Sequence, residues 1–146
     1  MNGVLQSILS SGSVITEDGE TRTLRASISR QEGEFLQEMI RSTRPQVSVE
    51  VGCAYGISSL YICEALREIN ATKHIIMDPY QHSTWEGIGL SNIRKAGYLD
   101  LVETLLHEVP VAPYAVVVRC SFARQSCGSE RGKELGPYGR RCRGAY

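Results

Sequence analysis

The sequence lacks any uninterrupted run of about 18 apolar residues, the length a helix needs to cross a bilayer, so no membrane span is expected. Residues 1–13 lack the basic start and apolar stretch of a secretory signal. The five cysteines, Cys53, Cys63, Cys120, Cys127 and Cys142, are odd in number and form no C-x-x-C pair. That argues against a disulfide framework or a zinc site, and for reduced thiols in the cytoplasm. His74, His82 and His107 have no ligand-like spacing and read as surface residues; no metal is expected. Arg140, Arg141 and Arg143 lack an aromatic or motif context, so no nucleic-acid partner is expected. No sequence repeat is visible.

What is present suits one domain. The chain has 146 residues, 42% of them hydrophobic, enough for a packed core. The net charge of zero conceals a split: 9 Lys and Arg face 14 Asp and Glu over residues 1–118, against 7 and 2 over residues 119–146. The sign change divides the chain into a lead-in (1–27), an α/β domain (28–118) and a basic tail (119–146) rich in Arg, Gly, Ser and Cys. The tail is expected to lack fixed structure. Its abrupt onset also fits a shifted reading frame or an altered splice.

Periodicity predicts the elements. Asp18-Gly19 suits a two-residue hairpin turn within residues 13–24. Ser29 and Glu32 form a capping-box pair, followed by Phe35, Leu36, Met39 and Ile40 at helical spacing and Pro45 beyond. Val47–Val51 reads as a strand, residues 52–56 as a tight loop and Ser58–Asn70 as a helix. His74–Asp78 reads as a second strand. Ser83 and Glu86 suggest another capping box, opening a helix that ends near Gly97. Leu101–Leu106 reads as a third strand, and Val111–Val118 suits one more. The alternation predicts an α/β fold: a Rossmann-like parallel sheet with right-handed crossovers and helices on both faces.

The informative stretch is Val49-Glu50-Val51-Gly52-Cys53-Ala54-Tyr55-Gly56-Ile57-Ser58. A strand enters a glycine turn that opens a helix, at the edge where parallel sheets bind ligands. Gly52 lets the backbone turn and removes a side chain where a ligand approaches; Gly56 permits close contact at the helix start. Asp78 ends the next strand, where an acid accepts hydrogen bonds from ribose hydroxyls. Glu50, in an otherwise apolar strand, needs a cationic ligand or amide donors as compensation. A dinucleotide fingerprint fails at Ala54 and Ile57, and a P-loop fails for want of lysine after Gly56.

These residues, with Ile28–Leu36 before them, Ser59–Ile62 after them and Asp78-Pro79-Tyr80-Gln81 downstream, resemble class I S-adenosylmethionine-dependent methyltransferases. The likeness is to the small-molecule O-methyltransferase branch that includes catechol O-methyltransferase-like enzymes, and it covers residues 13–108. The resemblance implies S-adenosylmethionine as cofactor and a small-molecule acceptor methylated on oxygen. It implies that Glu50 faces the methionine ammonium, that Gly52 and the backbone of Cys53, Ala54, Tyr55 and Gly56 line the methionine part, and that Ser58 contacts its carboxylate. Asp78 would hold the ribose, and Ile28 would touch the cofactor from upstream. The Tyr55 and Trp85 side chains are assigned to packing, and Cys53 lacks a base to make it a nucleophile. The sequence departs from the family after residue 108: no Asp occurs beyond Asp100, and no Asp-Gly or Asp-Asp pair ends a later strand. No catalytic residue is therefore assigned, and the alternative is an inactive, truncated relative that keeps part of the cleft. An unpaired sheet edge leads to an expectation of self-association.

Overall fold

The computed structural model describes residues 1–106 and the backbone of residues 115–117. The tail at 119–146, with Cys120, Cys127 and Cys142, lies outside the described residues, as does His107. A helix that the sequence reading did not anticipate, α1 (Gly3–Ser11), opens the chain. The Asn2 side chain accepts from the Val4 N–H, left-handed Gly12 closes the helix, and Leu5 and Ile8 are buried. The hairpin follows as β1 (Ser13–Ile15) and β2 (Thr21–Thr23). Its turn is longer than expected. Thr16 N–H donates to Glu20 O at 2.9 Å and Glu20 N–H to Thr16 Oγ1 at 2.9 Å, enclosing three residues that end at left-handed Gly19.

In α2 (Arg30–Thr43) the capping box forms as read: Ser29 N–H donates to Glu32 Oε2 at 2.7 Å, and Glu32 N–H to Ser29 Oγ at 3.3 Å. The buried row is Gly33, Gln37 and Ile40, whereas Phe35 is 63% exposed. The reason is a close helix contact. A Cβ at Gly33 would lie 2.3 Å from the Tyr61 ring, so this row must face the next helix. Phe35, about 200° further round the helix, then faces solvent.

The main sheet contains β3 (Val47–Val51), β4 (Lys73–Met77), β5 (Val102–Leu105) and β6 (Ala115–Val117), in the order β5-β4-β3-β6. The first three are mutually parallel; β6 pairs antiparallel to β3. The helices α3 (Ile57–Glu68) and α4 (Ile88–Lys95) link β3 to β4 and β4 to β5. Both crossovers step the same way across the sheet, so right-handedness places both helices on one face. On that face Ser48, Glu50, His74 and Ile76 are buried; on the other, Val49, Val51, Ile75 and Met77 are half-buried. His74 is thus not the surface residue its lack of ligand spacing suggested: it sits under α3, fully enclosed.

The expected capping box at Ser83 does not form. α4 starts at Ile88, after left-handed Gly87, with no side-chain cap. The Glu86 carboxylate is instead held by Arg22, with Nε to Oε1 at 3.1 Å and Nη2 to Oε2 at 3.0 Å. Gly97, left-handed at φ 79°, follows the helix end as the sequence indicated.

Candidate functional site

The carboxyl ends of β3 and β4 meet at the glycine turn. Gly52 N–H, one residue past the last pair Val51–Met77, donates to Met77 O at 2.8 Å. Its φ of 85° then turns the chain sharply, a conformation that favours glycine. A Cβ there would meet nothing within 4 Å, so the turn presents bare, exposed backbone.

The loop that follows is tied to Asp78. Oδ2 accepts from the N–H groups of Cys53 (2.9 Å) and Ala54 (3.0 Å) and from Gln81 Nε2 (3.0 Å). Oδ1 accepts from Tyr80 N–H at 3.0 Å. Four donors compensate a carboxylate that is only 2% exposed. The same Gln81 and one further side chain strap the loop carbonyls: Gln81 Nε2 reaches Ala54 O at 2.9 Å, and Asn92 Nδ2 reaches Tyr55 O at 3.0 Å. Gly89, at the start of α4, completes the clamp. A Cβ there would lie 2.4 Å from Ala54 O. Sequence reasoning missed Gln81, Gly89 and Asn92; the signal was a glycine placed two residues beyond Gly87, inside a helix.

Glu50 lies beneath the loop, facing α3. Ser59 Oγ donates to its Oε2 at 2.5 Å and Ser58 Oγ to its Oε1, while His74 Nε2 lies 3.1 Å from Oε2. Ser48 Oγ sits 2.7 Å from the other ring nitrogen, Nδ1. The carboxylate is 1% exposed, and its partners are serines and a histidine of the chain itself. The compensation that the sequence demanded for Glu50 is therefore internal.

The remaining candidates separate into two groups. Gly52 is exposed, and Ala54 and Ser58 are half-buried along the carboxyl edge, with Pro79 and exposed Tyr80 beside them. Cys53, Tyr55 and Gly56 are buried. The Tyr55 ring packs edge-on against Trp85, centroids 5.3 Å apart. Burial, and next the charge of Glu50, push the Cys53 thiol well above its ordinary range, so it is no nucleophile at neutral pH. Ile28 is half-buried and packs against the core. A cavity of about 250 Å³ lined by Glu17, His82, Glu86 and Arg94, among others, shares no residue with the glycine loop. Among the described residues no group of three or more His, Cys, Asp or Glu is placed to hold a metal ion, and no helix is long and apolar enough to cross a membrane.

No protein-family model and no curated protein sequence matches the chain. Solved structures do. An O-methyltransferase from Bacillus cereus in complex with SAH aligns with 22% identity and a TM-score of 0.50, over 70% of this chain and 40% of its own. The O-methyltransferase TomG from Streptomyces achromogenes, involved in tomaymycin synthesis and in complex with SAM, gives 18% identity and 0.51, over 71% and 42%. A cofactor-bound protein of MTB, Rv0187, gives 18% and 0.54, over 72% and 44%. The chain spans less than half the length of each. Within that span it has their fold: a Rossmann-like α/β sheet with three parallel strands flanked by helices, as the sequence predicted, except that the two crossover helices share one face because both connections step the same way across the sheet.

Proposed function

We propose that this chain carries the S-adenosylmethionine-binding half of a methyltransferase that acts on an oxygen of a small-molecule acceptor. The observation that supports the reading most is the glycine turn: bare backbone at Gly52 on the carboxyl edge of parallel strands, beside a loop organised by a strand-end carboxylate. The bound SAH and SAM of the structural neighbours agree with it.

The residues fit such a ligand. The methionine part lies along Gly52 and Ala54, near the start of α3, where backbone N–H groups have no side-chain cap and favour a carboxylate. Asp78 Oδ1 takes one hydrogen bond, from Tyr80, and a carboxylate oxygen has room for a second, from a ribose hydroxyl. Glu50 acts on a cation from beneath, through its charge and through Ser58, rather than by direct contact. Ile28, half-buried against the core, would touch the cofactor from upstream.

The cofactor, when bound, supplies an electrophilic methyl on sulfur. This chain's residues contribute binding and alignment, which lower the barrier by fixing the reacting geometry. Removing the acceptor's proton is a separate requirement, and none of the described residues is assigned to it. Free, buried Cys53 and Cys63 accord with a reducing, cytoplasmic setting.

Calorimetric titration of S-adenosylmethionine and S-adenosylhomocysteine into the purified chain tests the reading. Saturable binding is expected, at least about tenfold weaker in Asp78→Ala, a loss of roughly 1.4 kcal/mol or more. No binding by a folded sample, or equal binding by the variant, overturns it.

A further inference from the structure

A buried histidine under the glycine loop has no part in the reading above. His74 is fully enclosed, and both ring nitrogens are engaged, Nδ1 with Ser48 Oγ at 2.7 Å and Nε2 with Glu50 Oε2 at 3.1 Å. We propose that His74 is a positioning residue, which through Glu50 holds Ser58 and Ser59, and with them the first turn of α3 and the glycine loop, in the shape that receives the cofactor. The proposal rests on the cofactor reading for its ligand, but not for its relay.

The relay has a direction. Ser58 and Ser59 both donate to Glu50. His74 adds to that set only if Nε2 carries the ring proton, which leaves Nδ1 to accept from the Ser48 hydroxyl. The chain of donation then runs Ser48 to His74 to Glu50, with the two serines of α3 arriving at the same carboxylate from the other side. It ties β3, β4 and α3 together at one point, directly beneath residues 52–56.

The start of α3 depends on this point more than helix starts ordinarily do. Its N-cap is Gly56, left-handed at φ 83° and without a side-chain cap bond. The hydroxyls nearest the N-terminus turn down to Glu50 instead of closing the helix end. Burial alone gives no reason for a histidine here. An apolar residue fills such a site as well or better, since a buried polar group gains stability only when fully partnered. What an imidazole adds over leucine is two aligned polar atoms, and the structure uses both.

The discriminating pair is His74→Leu and His74→Gln. Glutamine keeps an N–H donor within reach of Glu50; leucine keeps apolar volume and no donor. Hydrogen exchange of peptides covering residues 52–60, referenced to α2, reads the loop directly, and calorimetric titration with S-adenosylhomocysteine reads its competence. In His74→Leu, loop exchange is expected to quicken at least about tenfold, and affinity to fall at least about tenfold, with α2 unchanged. In His74→Gln, both should stay within about threefold of wild type. A pure packing role gives the opposite order, leucine at least as good as glutamine, and that result overturns the proposal. If His74→Leu fails to fold, Ser48→Ala carries the test by removing the Nδ1 partner alone. Exchange about threefold faster at 52–60 supports the relay, and unchanged exchange overturns it. Should the wild type bind no S-adenosylhomocysteine while exchange still separates Leu from Gln, the cofactor reading fails and the relay stands.

Discussion

On the α3 side of the sheet, β3 and β4 present Ser48, Glu50, His74 and Ile76, all almost wholly inaccessible; on the opposite side they present Val49, Val51, Ile75 and Met77, all accessible in part. On these strands the usual distribution is inverted, with polar groups wholly buried and apolar groups partly accessible. The difference shows that burial here serves geometry as much as stability. Each polar group on the inner face has a partner across an element boundary, from strand to strand or strand to helix, and the apolar outer face has few demands of this kind. Substitutions should therefore divide sharply by face. Glu50→Ala strands three donors, from Ser58, Ser59 and His74, and is expected to lower the unfolding free energy by about 3–5 kcal/mol. Val49→Thr, the adjacent position on the outer face, is expected to lose less than about 1 kcal/mol, because little apolar area leaves a dry environment. Urea titrations of both variants check the pair. Equal losses would mean that the two faces do not differ in the way their burial indicates.

The same contrast, between a filled interior and an open edge, appears in two glycines of the candidate site. At Gly89 a Cβ would overlap Ala54 O at 2.4 Å, backbone that cannot move without lifting the loop off Asp78. At Gly52 a Cβ meets open space, and only the left-handed φ of 85° resists it. Gly89→Ala is expected to cost about 3 kcal/mol through overpacking. Gly52→Ala should cost about 1 kcal/mol through backbone strain. For ligand binding the order is expected to shift, because a methyl group at 52 would occupy the face proposed above to receive the cofactor. Melting temperatures and S-adenosylhomocysteine titrations on the two variants separate the effects: a Gly52→Ala protein that melts near wild type but binds weakly marks the open edge as the binding face.

Much of this arrangement was legible in the chain. The strand at 47–51, a second strand read as 74–78 and found at 73–77, the Ser29–Glu32 cap, the glycine turn and the acid at 78 followed from local pattern, because each depends on residues close in sequence. What escaped depends on contacts that sequence spacing does not encode. Phe35 fits the helical apolar pattern yet faces solvent, because Gly33 and Tyr61 decide which side of α2 meets α3. Glu86 matches a capping box yet turns to Arg22, 64 residues away. His74 has no motif at all; its meaning comes from Glu50, which neighbours it only across paired strands. The partners of Asp78 divide in the same way. Its position was readable, but Gln81 and the loop amides as its donors required the folded loop.

The inner face also makes a prediction at alkaline pH. Cys53 and Cys63 are both buried there, and burial, followed by the charge of Glu50, raises both thiols above their ordinary range. A raised folded-state value means that the thiols' contribution to stability is fully present below the unfolded thiol value, about 8.5, where both states hold the proton. Above that pH the unfolded chain releases protons that the folded chain keeps, so stability declines by about 1.4 kcal/mol per pH unit for each thiol. Urea midpoints are therefore expected to fall between about pH 8.5 and 10. The pH-dependent part of that fall should be smaller in Cys53→Ala, which removes one titrating group, whatever its effect at neutral pH. Thiol-reactive probes should modify neither cysteine in the native protein at pH 7, since the thiolate is the nucleophile. Rapid native labelling of Cys53 would show that the loop above it opens readily, and that the inner face is not the closed, fully partnered surface from which the contrast with the outer face was drawn.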